Sequence, residues 1–161
     1  MEYHSQAELN TSEDFSMLKL AGKEAIRAIL SEDARVQALP IIQKAGLIND
    51  LINSCSETLG DSTIENQYKK VLKIASFEMS NKLVVAENSP YYNEKIENSI
   101  LVKIAAKKLL NQLDGMEVIG IINLEYSRLI REEIEGFRIM FLEWIKSFDR
   151  KTFLKDGWDA D

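Results

Sequence analysis

Apolar residues recur at helical spacing along almost the whole chain, and this periodicity is the feature that most restricts its fold. Sustained alternation of apolar and polar residues, which would indicate strands, is missing. No Asn-Gly or Asp-Gly pair joins two alternating runs, as it would in a tight hairpin. The pattern therefore predicts an all-α protein.

Start and stop signals divide the apolar pattern into five helices. Thr11 with Asp14, and Ser62 with Glu65, have the spacing of capping boxes, at which helices begin. Pro40 is expected to break the chain between the first two helices. The predicted helices cover approximately residues 11–31, 41–60, 62–87, 90–115 and 117–149.

Short connections make consecutive helices antiparallel neighbours. We therefore predict an up-and-down antiparallel helical bundle of four main helices plus a shorter one, in a single domain over residues 1–161. In the first helix, Gly22 lies on the apolar face, where it would let a neighbouring helix come close. This face includes Phe15, Leu18, Ala25, Ile26 and Ile29.

The charge balance and the lack of leader signals restrict the surroundings of the protein. An excess of 26 acidic over 20 basic residues gives a net charge of −6, which repels phosphate backbones and anionic lipids. The first ten residues lack an apolar signal segment, and no apolar run approaches the ~18 residues that span a bilayer. We expect a cytoplasmic protein with neither nucleic acid nor a membrane as its partner.

A carboxylate within the apolar side of the last predicted helix is the sharpest chemical candidate. Glu133 falls near the middle of this arc, and a buried carboxylate is costly unless it is paired or protonated. It either ties two helices together by pairing with a Lys, Arg or Tyr, or bends its carboxylate to the edge of the core, or serves as a general acid or base. The apolar arc consists of Val118, Ile122, Tyr126, Leu129, Ile130, Phe137, Met140, Trp144 and Phe148.

Apolar residues cover more of the third to fifth predicted helices than one bundle core requires. Such extra faces indicate a central helix or a surface that another chain covers, and we predict a homodimer. The candidate interface residues on the helices are Phe77, Val84, Ile121, Leu124, Ile139 and Leu142.

The C-terminal tail, residues 150–161, adds Phe153 and Trp158 to these interface candidates. Large aromatic groups are costly to leave in water. We therefore expect a short part of the tail, from Phe153 to Trp158, to pack on a helical surface of the same chain, a second copy or a partner. The final acidic residues are expected to stay mobile.

Other chemical signals are weak. The only histidine, His4, is expected to be solvated near the terminus, and the only cysteine, Cys55, allows neither an internal disulfide nor a thiolate metal site. The sequence has no nucleophile-elbow, P-loop or dinucleotide fingerprint. We expect no metal and no cofactor.

Three hypotheses about function follow. The first is a non-enzymatic protein that acts through protein–protein interaction, by its helical faces and its tail. The second is an acidic inhibitor or immunity-type protein that masks a basic site, which requires its acids on one face. The third is a small enzyme that uses Glu133, which requires a pocket reaching that carboxylate.

Overall fold

The computed structural model describes the backbone of residues 6–158 and the side chains of residues 17–158. Helices account for most of these residues, and no strand occurs among them. The elements are α1 (Gln6–Gln37), α2 (Pro40–Thr58), α3 (Thr63–Asn88), α4 (Tyr92–Ile119), α5 (Leu124–Lys146) and a 3₁₀ turn (Arg150–Thr152). The chain divides into two compact units, residues 1–37 and 38–161.

The first unit is the long helix α1, and both of its predicted ends were wrong. The helix begins at Gln6 rather than near Thr11, and it continues through Ser31 to Gln37. In the turn that follows Ser31, an ion pair adds a small stabilisation to the helix, with Arg35 Nη2 lying 2.6 Å from Glu32 Oε1. The helix stops only as the chain nears Pro40, before which a residue is biased to extended backbone.

The second unit is an up-and-down bundle of α2, α3, α4 and α5. Each helix packs against the next along the chain, and α5 returns to pack against α2. The α3–α4 contact is the most extensive and the α4–α5 contact the least. The all-α bundle with antiparallel neighbours is therefore confirmed, and α2, the shortest helix, is one of its four members. That residues 1–161 form a single domain stays a prediction.

The α2–α3 turn ends in the predicted capping box. Ser62 Oγ accepts a hydrogen bond from the Glu65 backbone N–H, and the Glu65 carboxylate accepts bonds from the N–H groups of Ser62 and Gly60. These bonds satisfy amides that the first turn of a helix leaves without partners. The pKa of Glu65 lies below its ordinary value because of the Ser62 hydroxyl first and then these two backbone N–H groups.

The chain turns from α4 into α5 later than predicted. Gly115 lies inside α4, which runs on to Ile119, and the turn is made at Gly120, whose φ of 72° favours glycine. Asn123 then caps α5 by accepting a hydrogen bond from the Glu125 N–H. The predicted helix from 117 to 149 therefore joins the end of α4 to all of α5.

The core of the bundle consists mainly of apolar side chains from all four helices, together with the buried polar residues Ser56, Ser76, Asn93, Ser99 and Ser127. Burial of the apolar side chains provides the main driving force for this fold. The largest fully buried ones are Ile48, Ile52, Leu72, Met79, Leu83, Val102, Leu109, Leu113, Met116, Ile130 and Phe137.

Charged groups join α4 to α5 where their apolar contact is smallest. Arg131 of α5 reaches back to α4, with Nη2 lying 2.6 Å from Asp114 Oδ1 and 3.1 Å from Glu117 Oε1. Ser127 also donates to Glu117. The pKa of Glu117 is lowered, first by the Ser127 hydroxyl and then by Arg131.

Several predictions fall outside the described residues. These are the solvated position of His4, the Thr11–Asp14 capping box, the contribution of the Phe15 side chain to the apolar face of α1 and the mobility of the last acids, Asp159 and Asp161.

Candidate interaction surfaces

Glu133 pairs with Lys44 across the α2–α5 contact. Lys44 Nζ lies 2.6 Å from Glu133 Oε2, and the two side chains keep 23% and 22% of their surface exposed. The expected cationic partner on a facing helix is therefore confirmed. Because each charge is neutralised by the other, the pair holds α2 against α5.

Glu133 lies beside the buried stripe of α5 rather than in its middle. The buried residues alternate spacings of four and three, at Ile130, Ile134, Phe137, Phe141 and Trp144. The predicted arc omitted Ile134 and Phe141. On a helix turning ~100° per residue, the centre of the predicted arc lay about 60° from the centre of the buried stripe. The arc also included Val118, which belongs to α4, and Leu129, which is exposed.

An aromatic cluster at one end of the bundle was not anticipated as a unit. The Trp144 and Phe148 rings meet edge to face with centroids 4.7 Å apart, and Lys95 Nζ lies 5.4 Å from the Phe148 centroid. Trp144 Nε1 donates a hydrogen bond to the Glu87 carboxylate. The cluster connects the ends of α3 and α5 to the beginning of α4.

The candidates on α3 are Phe77 and Val84, which lie seven residues apart and share an outward face. Phe77 is 66% exposed and Val84 is half-buried.

On α4 the structure adds Ile100, Leu101 and Ile104, all exposed, which were not among the predicted interface residues. The spacing of Ile100 and Ile104 was the available signal, because both lie away from the main apolar side of α4.

The candidates near α5 form two separate groups. Ile121 is half-buried in the turn before the helix, and Leu124 is exposed at its first residue. Ile139 and Leu142, both exposed, lie one turn apart near the other end, about 25 Å away at 1.5 Å per residue. The structure therefore does not bring these four residues into one patch.

The tail contacts the bundle near its start. The Leu154 N–H donates to Asn93 Oδ1 at 3.1 Å, whereas Phe153 is about half exposed and Trp158 is 93% exposed. Packing of Trp158 on its own chain is therefore not found. Its packing on a second copy or a partner stays a prediction.

Most of the described apolar side chains of α1 are also exposed, although the sequence predicted that this face packs against another helix; Val36, near the end of α1, is buried. Leu18 is 71% exposed and Ile29 is 67% exposed. The wider set of large exposed residues on α1 is Met17, Leu18, Leu20, Ile26, Ile29 and Leu30.

Groups that could perform chemistry are dispersed in the described part of the chain. Among residues 17–158, no three His, Cys, Asp or Glu side chains come together as a metal site. Cys55 is buried, and burial raises the pKa of its thiol. A thiol with a raised pKa is a poor nucleophile near neutral pH, because the thiolate is the reactive form.

Comparison of the chain with models of known protein families, with curated proteins and with solved structures finds no match. None of the described helices has both the length and the apolar character that a membrane span requires.

Proposed function

We propose that the protein is a non-enzymatic binding protein that contacts other protein chains through apolar side chains outside its core, and that it forms a homodimer. The observation that carries the proposal is that large apolar side chains project from neighbouring helices of the bundle. Phe77 on α3, Ile104 on α4 and Ile139 on α5 each expose more than half of their surface. One exposed apolar residue is ordinary, but several on a small domain favour coverage by another chain.

The free energies of side-chain burial and of association indicate how much surface the contact needs. Full burial of one such side chain contributes about 1.5–3 kcal/mol, so three half-exposed residues supply roughly 2–5 kcal/mol. Association costs about 4–15 kcal/mol in lost translational and rotational freedom. A stable complex therefore requires several of the exposed groups together, and the residues on α1 or in the tail are the available additions.

The distribution of charge favours this proposal over an acidic inhibitor. Several exposed acids pair with a base three or four residues away on the same helix, as in Glu135 with Arg138 and Glu143 with Lys146. Such pairs spread the acids among bases rather than collecting them on one face that would mask a basic site.

The environment of Glu133 favours binding over catalysis. A general acid or base must reach the proton that it transfers. The Glu133 carboxylate already accepts a hydrogen bond from Lys44 Nζ. We place the protein in the cytoplasm, in agreement with its single buried thiol.

Sedimentation equilibrium of the full chain over ~1–200 µM tests the proposal. The expected result is a mass that approaches twice 18.4 kDa. Phe77→Asp adds a charge to the most exposed aromatic residue of the bundle and should weaken the dimer at least ~10-fold, equivalent to about 1.4 kcal/mol.

Leu47→Asp is the matched control, because Leu47 is an exposed apolar residue of α2 outside the proposed surface. It should change the dissociation constant less than ~3-fold. A parent chain that stays monomeric throughout the range contradicts the homodimer. Equal weakening by both substitutions contradicts the assignment of the surface.

A further inference from the structure

We infer that α1 pairs with α1 of a second copy of this chain, with the two helices antiparallel and in contact along Leu18, Gly22, Ala25 and Ile29. These four residues are called the α1 stripe. The inference rests on the homodimer proposed above and names a second contact between its two chains, in addition to the one that contains Phe77.

The α1 stripe has the spacing of a helix-pairing seam. Its residues follow one another at intervals of four, three and four, which places them within an arc of about 60° on one side of the helix. Its two large members, Leu18 and Ile29, are exposed. Leu20 is also exposed but lies about 200° around the helix from Leu18, on the opposite side.

Gly22 leaves the middle of the stripe open to close approach by another helix. Glycine is unfavourable in a helix interior, and a Cβ at Gly22 would meet nothing within 4 Å. The described structure therefore gives no reason for a glycine at this position. A second helix packed across Gly22 and Ala25 provides one, because small residues let two backbones approach.

A second copy fits the stripe when it lies antiparallel. Leu18 then faces the partner's Ile29, and Gly22 faces the partner's Ala25, so large residues meet at both ends and small residues meet in the middle. The flanking position Ala21 lies opposite the partner's Ala28, which keeps one edge of the contact narrow. Such self-complementarity is what a two-fold interface between identical chains requires.

Charge and dipole favour the same orientation. In the sequence Asp14 stands seven residues before Ala21, and Arg35 stands seven residues after Ala28. The antiparallel register thus sets an acidic position of each chain opposite a basic position of the other. The macrodipoles of two antiparallel helices also attract each other.

The size of the contact sets its strength. From Leu18 to Ile29 the α1 stripe is about 17 Å long, and contact along a strip about 10 Å wide would cover on the order of 200 Å² of each helix. A standard interface buries about 800 Å² per partner. We therefore expect a weak dimer that depends on protein concentration.

The first experiment compares Leu18→Asp with Leu20→Asp by sedimentation equilibrium. Both substitutions place a carboxylate at an exposed leucine of the same helix, so they match in charge and in helix propensity. Leu18→Asp should raise the dissociation constant at least ~30-fold, whereas Leu20→Asp should change it less than ~3-fold. Equal effects, or no effect of Leu18→Asp, overturn the inference.

The second experiment tests orientation by disulfide formation between variants with Leu18→Cys or Ile29→Cys. In the antiparallel register the two variants cross-link when mixed. A single variant does not cross-link with itself. The thiols of its two chains lie about 16 Å apart along the helix axis, beyond the ~7 Å Cα separation that a disulfide spans. The parent, with only the buried Cys55, is the control. Cross-linking of each variant alone but not of the mixture overturns the antiparallel arrangement.

The outcomes separate this inference from the proposed homodimer. A monomeric parent overturns both. A dimeric parent that Leu18→Asp leaves intact, but Phe77→Asp dissociates, preserves the homodimer and overturns the pairing of α1. Dissociation by Leu18→Asp together with cross-linking of the mixed variants supports the pairing.

Discussion

Tyr68 of α3 covers Gly115 of α4 so closely that a Cβ at Gly115 would lie 2.5 Å from the Tyr68 hydroxyl oxygen and 3.3 Å from its ring carbons. This approach explains a glycine in the interior of α4, where the residue is otherwise unfavourable. Gly115 therefore makes room for a neighbouring helix and does not end its own.

Gly115→Ala should destabilise the protein. Forcing a methyl group against the rigid ring of Tyr68 costs about 1–3 kcal/mol, and the better helix propensity of alanine returns at most about 1 kcal/mol. We expect the free energy of unfolding in urea to fall by roughly 1–2 kcal/mol. In a Tyr68→Phe background, which removes the nearest atom, the loss should be smaller; an unchanged loss would show that the hydroxyl is not the obstacle.

Gly136→Ala should have the opposite sign. A Cβ at Gly136 would lie 3.6 Å from Lys44 Nζ and 3.7 Å from its Cε, which is ordinary contact. Because Gly136 lies within α5, alanine should stabilise the protein by up to about 1 kcal/mol through helix propensity. A lower urea midpoint for Gly136→Ala would mean that Lys44 cannot adjust and that its pairing with Glu133 is disturbed.

The helical class and the boundaries of α2 and α3 could be predicted because they depend on local signals. The Ser62–Glu65 capping box and Pro40 at the start of α2 act within one turn of helix, and the sequence contains all that they need. Gly115 shows the limit of such signals. A glycine that ends a helix and a glycine that admits a neighbouring tyrosine are alike in sequence, and only packing separates them.

The candidate surfaces were harder to predict for the same reason. The predicted arc of the last helix included Val118, although Val118 belongs to α4 and is exposed. The partner of Glu133 could be predicted as a class of residue but not as Lys44, which is 89 residues away in the chain. Whether an apolar face lies inside or outside a fold depends on which helices meet.

Lys44 and Glu133 should be coupled in a double-mutant cycle. Pairs on the surface contribute about 0.2–1 kcal/mol, whereas removing one partner of a fully buried pair costs about 3–5 kcal/mol. With about a fifth of each side chain exposed, we expect Glu133→Ala to cost about 1–3 kcal/mol and the coupling energy to be about 1 kcal/mol. Additive losses for Lys44→Ala and Glu133→Ala would show that the two groups do not stabilise each other.

Ser62→Ala should destabilise the protein by about 1 kcal/mol at neutral pH, because it removes the side chain that caps α3. The same substitution should raise the pKa of Glu65 towards its ordinary value of 4.5, since the Ser62 hydroxyl is the main cause of the lowered pKa. Carboxylate chemical shifts followed by NMR during an acid titration measure this change directly. Thr63→Ala, one residue further on, is the control and should leave the pKa of Glu65 unchanged.

The stability of the capping box should also depend on pH. The folded protein holds the pKa of Glu65 below its unfolded value, so the box stabilises fully above the unfolded pKa. This contribution disappears as the pH falls through the folded pKa. The difference in unfolding free energy between the parent and Ser62→Ala should therefore shrink below about pH 4. A difference that stays constant down to pH 2 would contradict the role assigned to the Glu65 carboxylate.

The two tryptophans should differ sharply in their access to a quencher. Trp158 is 93% exposed in the tail, whereas Trp144 is 8% exposed within the aromatic cluster that contains Phe148. At low protein concentration, acrylamide quenching of the parent should show one accessible and one protected component, and Trp158→Phe should remove the accessible one. If a second copy covers the tail, the accessible component should diminish as the protein concentration rises into the range where the dimer forms. Strong protection of both tryptophans in the monomer would mean that the tail packs on its own chain.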